Sequence, residues 1–153
     1  MNILKIKKLL LASILVVFPT SIFAGSGHYH YDGPDISGAK IKIFGPWLAP
    51  EDESFRDVLS IFEKETGASV EYGGSDEFEQ IINIDCKAGN PADIAVFPQP
   101  GLAANIAATG CLAPQGNDLK QMVLDDYAAG QSWVDLTTYA DANGNDQFYG
   151  IFF

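Results

Sequence analysis

Positive charge is scarce in this sequence. Nine lysines and arginines stand against twenty aspartates and glutamates, and the formal net charge of the 153 residues is -11. A surface of that sign repels phosphate backbones and anionic bilayers, which argues against nucleic acid or an acidic membrane as partner. Histidine is equally rare: His28 and His30 are the only two, and a His-x-His pair without a third ligand at structural spacing makes no metal site. No serine sits in a nucleophile elbow and no carboxylate pair has a companion that would set its protonation, so no catalytic constellation is visible. Cysteine is as scarce, with Cys86 and Cys111 the only two. Nothing in this pattern calls for a cofactor.

Only one long apolar run is present, and it lies at the start. Lys5, Lys7 and Lys8 form a basic leader, Leu9 to Phe18 an apolar stretch of about ten residues, and Thr20 to Ala24 a less apolar segment ending in a small residue. Pro19 interrupts the run well short of the roughly 20 residues a membrane-spanning helix needs. Residues 1–24 therefore read as a secretory signal peptide, cleaved after Ala24, with retention as an N-terminal anchor the alternative, and the chain is exported. Loss of its three lysines takes the net charge from -11 to -14. Apolar residues make up 47% of the composition, so the remainder is a globular chain and not a solvated acidic tail.

Residues 25–38 carry several glycines and no periodicity, and read as a flexible arm. From residue 39 the pattern becomes regular. Ile41, Ile43 and Phe44 make a short strand closed by Gly45-Pro46. Pro50 suits a first helical position, Glu51, Asp52 and Glu53 complement the helix dipole, and Phe55, Val58, Leu59 and Phe62 recur at helical spacing up to the breaker Gly67. Ala68 to Tyr72 reads as a second strand with Gly73-Gly74 as its turn. Asp76 and Glu79 form a capping pair for a helix that Gly89-Asn90-Pro91 ends. Asp93 to Phe97 is a nearly continuous apolar run, as expected of a strand buried on both faces. Pro100 to Thr109 supplies the next helix.

Strands alternating with helices specify an α/β layer with right-handed crossovers, and such sheets bind ligands at the carboxyl ends of their strands. Those ends nominate three loops: Gly45-Pro46-Trp47-Leu48, Gly73-Gly74-Ser75-Asp76 and Phe97-Pro98-Gln99-Pro100. Further on, Asn117 to Ala128 is a helix capped by its asparagine and ended by Gly130. Trp133 to Ala140 and Gln147 to Phe153 read as two strands around the hairpin signal Asn143-Gly144. Asp141 to Asp146 mimics a calcium loop, but its glycine is misplaced and Phe152 stands where the bidentate glutamate should be. The apolar ending at Tyr149 to Phe153 points to truncation in mid-strand.

Several segments together carry a family resemblance: Phe44-Gly45-Pro46-Trp47-Leu48, Phe62-Glu63-Lys64-Glu65-Thr66-Gly67, Ser75-Asp76-Glu77-Phe78-Glu79-Gln80, Gly89 through Gly101, Gly130-Gln131-Ser132-Trp133-Val134-Asp135 and Tyr149-Gly150-Ile151-Phe152-Phe153. In these the chain resembles the bacterial extracellular solute-binding proteins of carbohydrate importers, most closely the periplasmic alpha-glucoside-binding branch. The resemblance implies residues 39–153 as the truncated first lobe of a type II periplasmic-binding-protein fold, ending in an incomplete hinge hairpin. It also implies a small saccharide as ligand, an ABC permease of the inner membrane as partner, and a monomer that is not an enzyme.

A sugar presents hydroxyls around an apolar ring face, so its site needs an aromatic surface beside planar donors and acceptors. Trp47 offers the surface, Asp76 accepts from hydroxyls, Gln99 both donates and accepts, and Ser75 adds one hydroxyl. Loop packing for Trp47, helix capping for Ser75 and Asp76 and a helix-start role for Gln99 are the structural alternatives. Trp133 and Tyr139 are assigned to the core or hinge. A disulfide between Cys86 and Cys111 would close a loop of about two dozen residues, the alternative being two separate buried thiols. The competing functional reading is an N-terminal fragment of an exported carbohydrate-active enzyme whose catalytic residues lie beyond Phe153.

Overall fold

In the computed structural model, which describes residues 30–152, the first strand to form the sheet is β1, Lys40–Gly45. The segment expected to be a signal peptide, the start of the expected arm and Phe153 lie outside the described residues. Within the arm, the Tyr31 ring meets Phe62 edge-on at 6.2 Å, and the Gly38 N–H donates to the Gly67 carbonyl.

Helix α1, Asp52–Thr66, follows β1 and stops at Gly67, whose φ of 69° is a left-handed conformation that a residue without a side chain adopts at little cost. Strand β2, Ser69–Gly74, then pairs in parallel with the whole of β1, from Lys40 opposite Ser69 to Gly45 opposite Gly74. Gly73 and Gly74 thus continue the strand instead of turning it. Helix α2, Phe78–Ala88, returns the chain to the opposite side of β1, where β3, Ile94–Ala95, pairs in parallel with Ile43 and Phe44. The sheet order is β2-β1-β3, and α3, Pro100–Ala107, leaves its last strand.

Alternation along the strands separates two cores. Ile43, Tyr72 and Val96 pack with Phe55 and Leu59 of α1 on one face. Phe78, Ile82 and Ile106 pack with Phe44, Ala95 and Phe97 on the other, so α2 and α3 cover that face. The outer edge of β2 is closed by α1 side chains: Val70 N–H donates to Glu63 Oε1 at 2.6 Å and Arg56 donates to the Tyr72 carbonyl at 3.2 Å, which blunts an edge that would otherwise invite pairing. Cys86 and Cys111 are joined by a disulfide with Cα atoms 5.6 Å apart, stapling the end of α2 to the turn after α3.

A third core holds the rest of the chain. Helices α4, Asn117–Asp126, and α5, Gly130–Leu136, bury Val123 and Val134 against Phe148 of the antiparallel hairpin β4, Thr138–Ala140, and β5, Asp146–Phe148.

Several local expectations are corrected. Pro50 precedes α1, with Glu51 at the cap position and a cis Ala49–Pro50 bond. Trp133 to Leu136 is helical, because a short apolar stretch does not distinguish helix from strand and the Gln131–Asp135 hydrogen bond at helical spacing, with buried Val134, favours the helix. Gly130 opens α5 instead of ending α4: a side chain there would press on the backbone of Leu124. Asn117 is the first helical residue of α4 and Gly116 its cap. The strand expected to run to Phe153 ends at Phe148. Ile94 is 50% exposed, since it shares the α1 face with Ile43 but sits on an outer strand.

Candidate ligand-binding edge

The strand order sets the site. The chain passes from β1 through α1 to β2 on one side of it, then from β2 through α2 to β3 on the other side, with α1 and α2 on opposite faces. The carboxyl ends of β1 and β3 then flank a switch point, the place where open α/β sheets characteristically take their ligands. Trp47 follows β1 and Gln99 follows β3. Ser75 and Asp76 follow β2 on the same end of the same parallel sheet.

The three loops are tied to one another. Ser75 N–H donates to the Gly45 carbonyl at 3.0 Å, joining the second loop to the first. Gln99 Nε2 donates to Glu79 Oε1 at 2.9 Å, joining the third loop to the first turn of α2. Glu79 was read from the sequence only as a capping partner; its tie to Gln99 lacks any local signal, since the two are twenty residues apart.

Each candidate residue has a definite place. Ser75 Oγ accepts from Glu77 N–H at 3.0 Å and its carbonyl accepts from Phe78 N–H at 3.2 Å, so Ser75 organises the turn into α2 while its hydroxyl hydrogen stays available. Asp76 is exposed in that turn, and the position it was expected to cap is taken by Glu77 without a side-chain hydrogen bond. Gln99 is exposed in extended backbone as the residue before α3. Trp47 is half-buried, its ring edge-on to Phe55 at 5.2 Å and tilted against Tyr72 at 6.4 Å. Its backbone is held by the Tyr72 hydroxyl, which accepts from Trp47 N–H at 3.0 Å and donates to the Trp47 carbonyl at 3.2 Å. Burial holds that hydroxyl's pKa above the ordinary tyrosine value, and its hydrogen bond to Trp47 opposes the shift.

Electrostatically the edge is one-sided. Asp76, Glu77 and Glu79 line its second loop and the start of α2, and Arg56, which donates to the Tyr72 carbonyl, is engaged by Asp52 at 2.7 Å. Such an edge accepts hydrogen bonds from neutral hydroxyls and repels anions. Trp133 and Tyr139 belong to the hairpin unit: Trp133 packs in its core against Phe152 at 5.1 Å, and Tyr139 stacks on Tyr149 at 6.1 Å. Among the described residues no group of three or more His, Cys, Asp or Glu could hold a metal ion, and no helix is long and apolar enough to cross a membrane.

No protein-family model matches the chain. Curated proteins do. The chain is 47% identical over 119 residues to the alpha-glucosides-binding periplasmic protein AglE of Rhizobium meliloti, an overlap of 78% of this chain and 26% of that protein. It is 34% identical over 108 residues to the osmoprotective compounds-binding protein GgtB of Synechocystis, covering 68% of this chain and 25% of the relative. The chain thus spans about a quarter of the length of these relatives.

Proposed function

As a member of the bacterial extracellular solute-binding proteins, this chain is, we propose, a saccharide-capturing component of a periplasmic importer, with an alpha-linked glucoside or similar small sugar as its ligand. The observation that carries the reading is the 47% identity to a protein named for binding alpha-glucosides, over a stretch that includes all three strand-end loops. The geometry is suited to it. Trp47 supplies an aromatic surface, Asp76 and the Glu79-anchored Gln99 supply acceptors, and the acidic setting favours neutral polyhydroxyl guests over sugar phosphates or uronates. The chemistry of the edge is that of recognition: planar polar groups beside a ring surface, with no activated nucleophile. An ABC permease is the partner this role requires, and the periplasm its compartment.

Saturation-transfer NMR with maltose, trehalose and sucrose tests the reading. Transfer to glucose-ring protons is expected, with affinity on the order of 1 mM or weaker because one wall of loops supplies the contacts; calorimetry at micromolar protein should register no heat. Trp47→Ala should abolish the transfer. Equal transfer from the wild type and Trp47→Ala, or none from any of the three sugars, would refute the assignment.

A further inference from the structure

We propose that Tyr72 is the positioning residue of the ligand-binding edge: its hydroxyl holds the Trp47 loop, and Arg56 and Asp52 hold Tyr72. The proposal rests on the reading of Trp47 as a ligand surface.

Tyr72 is a core residue of β2, 4% exposed, and belongs to one apolar cluster with Ile43 and Val96. Its hydroxyl does something that packing does not require. It reaches back 25 residues and binds both backbone groups of Trp47, accepting from the N–H at 3.0 Å and donating to the carbonyl at 3.2 Å. A loop residue with both its amide and its carbonyl tied to one buried side chain loses most of its freedom to swing. The surroundings are shaped for that grip: a side chain at Gly45 would lie 2.8 Å from the Tyr72 hydroxyl, and one at Gly74 would overlap the Trp47 carbonyl oxygen.

Behind Tyr72 stands a second set of ties. The Arg56 guanidinium lies 5.2 Å from the centre of the Tyr72 ring and donates to the Tyr72 carbonyl at 3.2 Å, while its Nε donates to the buried Asp52 carboxylate at 2.7 Å. The chain of contacts runs from the first turn of α1 through β2 to the loop after β1. An aromatic residue that meets a sugar face must hold its ring within a narrow range of angles, and preorganisation of that kind shows in affinity, not in bulk stability.

The test uses the whole chain grown with 5-fluorotryptophan, which reports Trp47 and Trp133 as separate fluorine resonances, assigned with Trp47→Phe. In Tyr72→Phe the Trp47 resonance is expected to shift and broaden while that of Trp133 stays, and the maltose-induced shift of Trp47 should require a roughly fivefold higher sugar concentration, the equivalent of one hydrogen bond. Arg56→Met, at a side chain half exposed to solvent, should produce the same selective change to a smaller degree and serves if Tyr72→Phe does not fold. An unmoved Trp47 resonance in both variants, or parallel changes at Trp47 and Trp133, overturns the proposal. A selective shift in a chain whose wild-type Trp47 ignores maltose supports the positioning role and refutes the saccharide reading instead.

Discussion

Gln99 Nε2 and Glu79 Oε1 stand 2.9 Å apart, joining the loop after β3 to the first turn of α2. The bond sets which end of the amide faces Glu79, and the amide's carbonyl oxygen remains an acceptor. Because both residues are exposed, the pair should contribute little to stability, about 0.5 kcal/mol. Its expected effect is on orientation. In Glu79→Ala the Gln99 side-chain NH2 pair, followed by nitrogen-15 NMR, should move toward the position of a free amide, with the unfolding midpoint nearly unchanged. A Gln99 signal insensitive to Glu79 would mean that the amide is oriented by something else.

The Cys86–Cys111 bridge spans a sequence separation of 25 residues and closes the α2–α3 unit. In the chain-entropy model a loop of that size stabilises by roughly 3 kcal/mol through its restriction of the unfolded chain. Denaturant titration with and without reductant should show that difference, with the same loss in Cys86→Ala/Cys111→Ala. Equal midpoints would mean that the packing of Phe78, Ile82 and Ile106 already constrains this unit.

Two glycines should respond to alanine with opposite signs. Gly74→Ala drives a methyl group into the Trp47 carbonyl oxygen, a backbone atom that yields only if the loop moves, and is expected to destabilise by about 1–3 kcal/mol. Gly101, in the first turn of α3, has open space around it, and Gly101→Ala should gain about 0.5–1 kcal/mol from reduced freedom of the unfolded chain. Thermal unfolding of the two variants decides the matter; a neutral Gly74→Ala would show that the first loop is free to shift.

Asp141 organises the hairpin turn. Its carboxylate accepts from the N–H groups of Asn145 at 2.9 Å and Asn143 at 2.8 Å, and the hydrogen bond from Asn145 foremost holds its pKa below the ordinary aspartate value of 3.8. A depressed folded-state pKa means stability present above the unfolded value and lost as pH falls through the folded one. The Asn145 amide proton should therefore titrate with a midpoint below the usual carboxylate range, and the stability difference between wild type and Asp141→Ala should vanish in acid. A midpoint at or above the ordinary value would contradict the bonded geometry.

What was legible in the sequence is what neighbours along the chain decide. The αL stop at Gly67, the spacing of Phe55, Leu59 and Phe62, the Gly89 breaker and the Asn143-Gly144 turn all act within a few residues, and the residues that follow the strands identified the loops in advance. Where local signals were balanced, as at Trp133 to Leu136, an apolar stretch read as strand proved helical, with Val134 buried and Gln131 bonded to Asp135 one turn on.

The tertiary structure alone decided how those loops meet. Crossing of β3 to the far side of β1 created the switch point and brought Gln99 to Glu79, and the parallel register of β1 with β2 brought the Tyr72 hydroxyl under Trp47. A tyrosine in a strand and a glutamate in a helix look the same in sequence whether or not they grip a loop. Their partners lie 20 and 25 residues away, and only the direction in which a strand crosses the sheet determines that they touch.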